Sequence, residues 1–325
     1  MTGRLGALVL AAVLLAGSAA AYRWDEHYYT VRLAFGARPG GAVGALCAQL
    51  ADEAPELNAI AVYRRLMKHP LDYASWSLGG DGPDETVGRM VTVQQLLHGL
   101  TGGSPEAVRA IAAAAAKNVG ARARGARDPR ERADAQCALG FALHLYGDSF
   151  SHVRIKNPSK MYPTGLGHFF DATTPDIPLS SRARMELWRE YLATAPSLIP
   201  LGAGPAFEPV FAAAAELQRR ARSGNRYAGA ELMHAETEAL EGSGIKAALL
   251  EHNLSERPCQ AIADAAAKGL PAAPSCERAW TLYRDAVIRA LDAYDADPAN
   301  AGKPSRGGPK RAYFLGSPFS KGAEW

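Results

Sequence analysis

The run Ala138-Leu-Gly-Phe-Ala-Leu-His144-Leu-Tyr-Gly-Asp148-Ser-Phe-Ser-His152 sets two imidazoles and a carboxylate at intervals of four residues. On an α-helix a step of four leaves an angular offset of about 40° and a rise of about 6 Å. His144, Asp148 and His152 therefore share one stripe roughly 12 Å long. Each end offers a neutral nitrogen ligand, and the centre offers a carboxylate able to bridge two cations. That mixture of nitrogen and oxygen suits borderline divalent metals, zinc foremost. The competing explanation is a buried helix whose polar residues are merely hydrogen-bonded. It requires three metal-capable groups to fall in register by accident on an otherwise apolar segment.

Such a site needs ligands from elsewhere, and the chain has only eight histidines. His27 lies in Asp25-Glu26-His27-Tyr28-Tyr29, and Asp52 and Glu53 close a helical segment that begins near residue 41. His98 ends Val93-Gln-Gln-Leu-Leu-His98. His168 follows a glycine-punctuated loop, with Asp171 close by and Asp176 beyond Pro175. Position alone leaves alternatives open. His98, before Gly99, serves equally as a helix-end group complementing the dipole, and Glu53 is as good a candidate as Asp52. His69, beside Pro70, and His234 and His252, on charged stretches, read as surface residues. Tyr28, Tyr29 and Tyr146 read as aromatic packing rather than as hydrogen-bond partners of ligands. Gly147-Asp148-Ser149 matches the nucleophile motif of GDS-type esterases in letters only, because it falls mid-helix and no downstream Asp-x-x-His accompanies it.

The order His, Asp, His, then HxxxD with a further His, then Gly-His with a nearby acid resembles the zinc-dependent phospholipase C/P1 nuclease superfamily. The pieces HYYTVRLAFGA, LADEAPELNAI, LLHGL, ALHLYGDSFSH and GHFFDATTPD resemble more closely an uncharacterised bacterial branch of it, over residues 24–178. The resemblance implies a helical fold with up to three zinc ions in a cleft. One zinc would be held by Asp52, His98, His144 and Asp148. A second would be held by Asp148 as the bridge, by His27 and by the mature N-terminal residue, here Tyr22 where the superfamily has Trp. A third would be held by His152, His168 and an acid, with Asp176 preferred over Asp171. Glu53 would orient the attacking water.

The N-terminus pairs Arg4 with the apolar run Leu5–Ala16 and the small-residue exit Gly17-Ser18-Ala19-Ala20-Ala21, the pattern of a signal peptide over residues 1–21. Export to the periplasm or beyond is therefore expected, with Tyr22 as the mature terminus. No transmembrane anchor is expected after cleavage. Four cysteines in an exported chain favour disulfides. Cys259 and Cys276 form the expected local pair, and Cys47 with Cys137 follows by elimination. The net charge of +3, from 36 basic and 33 acidic residues, points to no particular partner. The arginines from Arg122 to Arg132 read as a solvated interhelical loop, since no aromatics are interleaved for base stacking.

Apolar periodicity places helices near 41–54, 58–68, 86–100, 105–120, 130–153, 180–194, 205–223, 228–251, 256–268 and 275–295. Ser104-Pro105-Glu106 is a helix start with the N-cap before a proline. The expected fold is all-α. A helical domain runs over 22–298, with the metal-site half at 22–180 and further helices at 181–298, and an extended tail follows over 299–325. Clustered zinc activates water and neutralises charge on phosphate oxygens. The expected activity is thus hydrolysis of phosphodiesters, in phospholipid or nucleic acid, and no stable protein partner is implied. The alternative is an exported helical metal-binding or interaction protein without turnover.

Overall fold

A helix that is buried on every side carries the stripe. In the computed structural model every residue from Ala133 to Ser151 is buried. The structure describes residues 24–199, apart from 37, 39, 55, 70, 72–84, 166, 168–170, 172–174 and 176–179, together with 260, 262–263 and 272–300. Among these, eight α-helices and no strand occur, as the composition and periodicity anticipate. They are α1 Trp24–Phe35, α2 Gly41–Glu53, α3 Ala59–Leu66, α4 Glu85–Leu96, α5 Pro105–Gly125, α6 Pro129–Ser151, α7 Arg182–Thr194 and α8 Cys276–Ala296. None of the described helices is long and apolar enough to cross a membrane.

The local starts follow capping chemistry. Ser104 accepts the Ala107 N–H before Pro105, and Asp128 accepts the Arg130 N–H before Pro129. In both, the proline occupies a first-turn position whose N–H would have had no intrahelical partner. Ser181 and Ser275 cap α7 and α8 in the same way. Helix α1 has no counterpart in the periodicity. Its residues from His27 to Phe35 are buried except Arg32, so no polar stripe marks a 3.6-residue period. The expected helices at 205–223 and 228–251 lie outside the described residues, as does most of 256–268.

Helix α6 is the axis of the core, with α2, α5 and α8 as its principal neighbours. Helices α2 and α6 run side by side in the same direction. Gly44 meets the Gln136 carbonyl, the Ala48 carbonyl accepts from His144, and Asp52 faces His144. Two glycines let the pair approach closely. A Cβ on Gly140 would lie 2.1 Å from the Gly44 carbonyl oxygen and 3.1 Å from the Cys47 Cβ. The Cys47–Cys137 disulfide ties the same two helices, as elimination predicts. Cys276 is also disulfide-bonded; its expected partner, Cys259, lies outside the described residues. Arg122, Arg124, Arg127, Arg130 and Arg132 are exposed as expected, but only Arg127 lies in the loop, because α5 extends to Gly125 and α6 begins at Pro129.

Candidate metal centre

Four segments deliver six metal-capable side chains to one buried point. Helix α1 supplies His27, the end of α2 supplies Asp52, and the turn after α4 supplies His98. Helix α6 supplies His144 and Asp148, with His152 as its C-cap. None of the six exceeds 7% exposure.

The ring nitrogens are sorted by backbone carbonyls, which can only accept. His98 Nε2 lies 2.7 Å from the Leu57 carbonyl, His144 Nδ1 lies 3.0 Å from that of Ala48, and His152 Nδ1 lies 2.6 Å from that of His98. Each carbonyl claims the N–H of a neutral ring, so the other nitrogen presents a lone pair. Such backing of the ligand ring by a carbonyl is the usual orienting device at metal sites. For His98 and His144 the free nitrogens point at each other, 3.2 Å apart. Asp148 Oδ2 lies 3.3 Å from His98 Nδ1 and 3.2 Å from His144 Nε2. A tetrahedron built on zinc–ligand bonds of about 2.0–2.1 Å has edges of about 3.3 Å. These three atoms have the spacing of one face of it. Asp148 Oδ2 is buried and makes no hydrogen bond, so the residues present fit a divalent cation.

The other oxygen of Asp148 faces elsewhere. Oδ1 lies 3.1 Å from His27 Nε2, which is in turn 3.7 Å from Asp52 Oδ2. Asp52 Oδ1 approaches His98 Nδ1 at 3.8 Å. Asp148 thus divides its oxygens between two groups of nitrogen ligands. Asp52 lines both, and the rings of His27 and His144 stack at 3.8 Å. Two sets whose ligand atoms converge are His27–Asp52–His144 and His98–His144–Asp148.

The electrostatics are those of a compact cation site. Burial alone would raise the Asp148 carboxyl, but the charges of His152, His144 and His27 hold it well below the carboxylate range. Burial, then the charge of His27, pushes His144 down to about 3. Burial works to lower His98 too, yet the adjacent carboxylates of Asp148 and Asp52 raise it on balance. His98 therefore faces the two carboxylates rather than serving only as a helix-end group.

His152 caps α6, with Nδ1 3.7 Å from Asp148 Oδ2. Glu53, half-buried, is one residue on from Asp52 and belongs to neither converging set. Tyr22, His168 and Asp176 lie outside the described residues. Asp171 accepts a 2.5 Å hydrogen bond from the Tyr162 hydroxyl. Tyr146 donates to Thr194 and packs on Phe150 and Tyr191, a packing role as expected. Ser149 is buried in the last turn of α6 and donates to the Tyr146 carbonyl. Two residues that sequence reasoning passed over stand at the end of α6. Ser151 donates to Asp148 Oδ1 at 3.1 Å. Buried Arg184 donates to the carbonyls of Ser151 and Val153. The only sequence signal for Ser151 is its place three residues after Asp148, one helical turn along the same face. No family model, no curated protein and no solved structure matches the chain.

Proposed function

We propose that the chain is an exported zinc-dependent phosphoesterase that hydrolyses phosphodiesters of phospholipid or nucleic acid. The observation that carries this reading is the division of Asp148, with Oδ1 toward His27 and Oδ2 toward His98 and His144. A carboxylate shared between one imidazole, His27, and the His98–His144 pair, with no thiolate among them, resembles the ligand chemistry of hydrolytic multi-metal centres. Single structural zincs are instead closed by four ligands, commonly cysteines. Asp52, His98, His144 and Asp148 would hold one zinc, and His27 with Asp148 a second. A third would draw on His152, with His168 and Asp176. Bound zinc supplies Lewis acidity to a phosphoryl oxygen and lowers the pKa of water toward neutrality.

The chain's own residues have separable tasks. The Leu57 and Ala48 carbonyls hold the His98 and His144 rings in one tautomer. Asp52 and Asp148 would balance cation charge in a buried setting, and Glu53 would orient the attacking water. The disulfide is compatible with export.

The test is metal content of the protein purified without chelator, read by elemental mass spectrometry, followed by hydrolysis of a chromogenic phosphodiester. Two or more zinc equivalents and zinc-dependent turnover support the proposal. Background metal after zinc reconstitution overturns it. One observation favours a second reading, a non-catalytic metal-binding protein: all six ligands are nearly inaccessible, as in closed structural sites. Full zinc loading without turnover on lipid or nucleotide diesters selects that reading.

A further inference from the structure

Asp148 can serve two groups of histidines only if its carboxylate keeps one rotation. The χ2 torsion of an aspartate is broad, so nothing intrinsic to the side chain fixes the plane in which its two equivalent oxygens lie. On the His98–His144 side Oδ2 has no hydrogen bond to hold it. On the other side Oδ1 receives the Ser151 hydroxyl at 3.1 Å, and the same oxygen lies 3.1 Å from His27 Nε2.

Ser151 is itself held. It is the last residue of α6, where carbonyls run out of intrahelical partners. The guanidinium of Arg184, 5% exposed, reaches from α7 into that end. Its Nη1 donates to the Ser151 carbonyl at 2.6 Å, and its Nη2 donates to the Val153 carbonyl at 2.5 Å. The Tyr162 N–H donates to the His152 carbonyl at 2.8 Å. A buried cation at a helix C-terminus also complements the dipole. The final turn of α6 is thereby fixed from outside; the Ser151 hydroxyl on it reaches Asp148 Oδ1 at 3.1 Å, nearer than the Asp148 carbonyl at 3.5 Å.

We propose that Ser151 is a positioning residue for the metal centre: its hydroxyl fixes the Asp148 carboxylate so that one oxygen serves His27 and the other serves His98 and His144, with Arg184 locking the turn that presents it. This rests on the metal-binding reading of the site. It assigns Ser151 no contact with substrate. Loss of a hydrogen bond that orients a metal ligand typically lowers metal affinity roughly 10–100-fold.

The experiment compares Ser151→Ala with Ser149→Ala in the full chain. Ser149 is the internal control, because it is equally buried, lies on the same turn and donates to the backbone carbonyl of Tyr146 rather than to a ligand. Zinc affinity is measured by competition with a chromophoric chelator, and the cobalt-substituted protein is examined by visible absorption. Melting of the metal-free variants reports any general loss of structure. Ser151→Ala is expected to weaken zinc binding by at least about tenfold and to shift the cobalt spectrum, while Ser149→Ala keeps the parent values of both. Equal zinc affinity and equal spectra for the two variants overturn the positioning role and leave the metal site standing. A parent protein that binds neither zinc nor cobalt overturns the metal reading and the role of Ser151 together.

Discussion

Replacing Gly140 by alanine tests the link between helix packing and the metal centre. The added Cβ would sit 2.1 Å from the Gly44 carbonyl oxygen, a backbone atom that no rotamer change can move. Carbon and oxygen in ordinary contact lie about 3.3–3.6 Å apart, so α2 and α6 must separate by more than about 1 Å. The Cys47 Cβ at 3.1 Å blocks a sideways escape. Overpacking of this kind costs ~1–3 kcal/mol, and the rigidity of the opposing atom puts Gly140→Ala near the upper end. For a domain of this size the loss corresponds to a melting temperature lower by roughly 4–12 °C.

The same displacement carries Asp52 on α2 away from His144 and Asp148 on α6. Metal sites tolerate only about 0.2 Å in ligand distances, so zinc affinity should fall on the order of 10–100-fold. Calorimetry of the metal-free protein reads the first effect, and chelator competition reads the second. Gly125→Ala is the matched control. The same added methyl at the end of α5 meets nothing within 4 Å, and helix propensity makes it neutral or stabilising by up to about 1 kcal/mol. A Gly140→Ala protein that melts within about 1 °C of the parent and binds zinc with parent affinity refutes the reasoning.

Asp148→Asn keeps the shape and removes the charge that both histidine groups face. It is expected to reduce bound zinc to background and abolish diester hydrolysis, and full activity in this variant would refute the bridge. Removing the Cys47–Cys137 cross-link by paired alanine substitution opens a span of 90 residues. The chain-entropy model then gives a loss of ~4–5 kcal/mol, read by denaturant unfolding. Tyr283→Phe deletes the hydroxyl that donates to the Leu96 carbonyl just before His98. A loss of ~0.5–1.5 kcal/mol is expected, with no change in the number of zinc ions bound.

The combined contribution of His98, His144 and Asp148 to metal-free stability should be greatest near pH 6.5, the ordinary histidine value. The contribution of His98, whose folded value is raised, is complete below that pH and is lost as pH rises through the raised value. His144, held neutral down to about 3, makes folding less favourable as pH falls from 6.5. The depressed Asp148 carboxyl adds its own loss once pH falls below its ordinary value of 3.8. Zinc, competing with the His98 proton, should flatten the alkaline side in thermal melts across pH.

What was legible in the sequence was what is local. The stripe His144–Asp148–His152 follows from helical spacing, and Ser104-Pro105 announces the start of α5 because capping is a contact within one turn. His27, Asp52 and His98 entered as ligands through their order along the chain rather than through spacing. Their convergence depends on how α1, α2 and the turn after α4 meet α6. Three features were illegible for the same reason. The carbonyls of Leu57 and Ala48 carry no side-chain identity, yet they decide which nitrogen of His98 and His144 faces inward. Gly44 and Gly140 look like ordinary helix glycines until the two backbones are seen to touch. Helix α1 is buried nearly all round, and a helix without a polar face has no period to detect.

The question posed by the stripe was whether three polar groups on an apolar helix are ligands or merely satisfied residues. The tautomers answer it better than proximity does. With neutral rings, two backbone carbonyls take the N–H of His98 Nε2 and of His144 Nδ1, and the two facing nitrogens and a carboxylate oxygen converge at 3.2–3.3 Å among buried side chains. A single proton can sit between only two of the three atoms, whereas a divalent cation satisfies all of them at once. A disulfide already joins α2 and α6 between Cys47 and Cys137, so a cation held there would add most by tying in His27 of α1 and His98 of the turn after α4, which the disulfide does not reach.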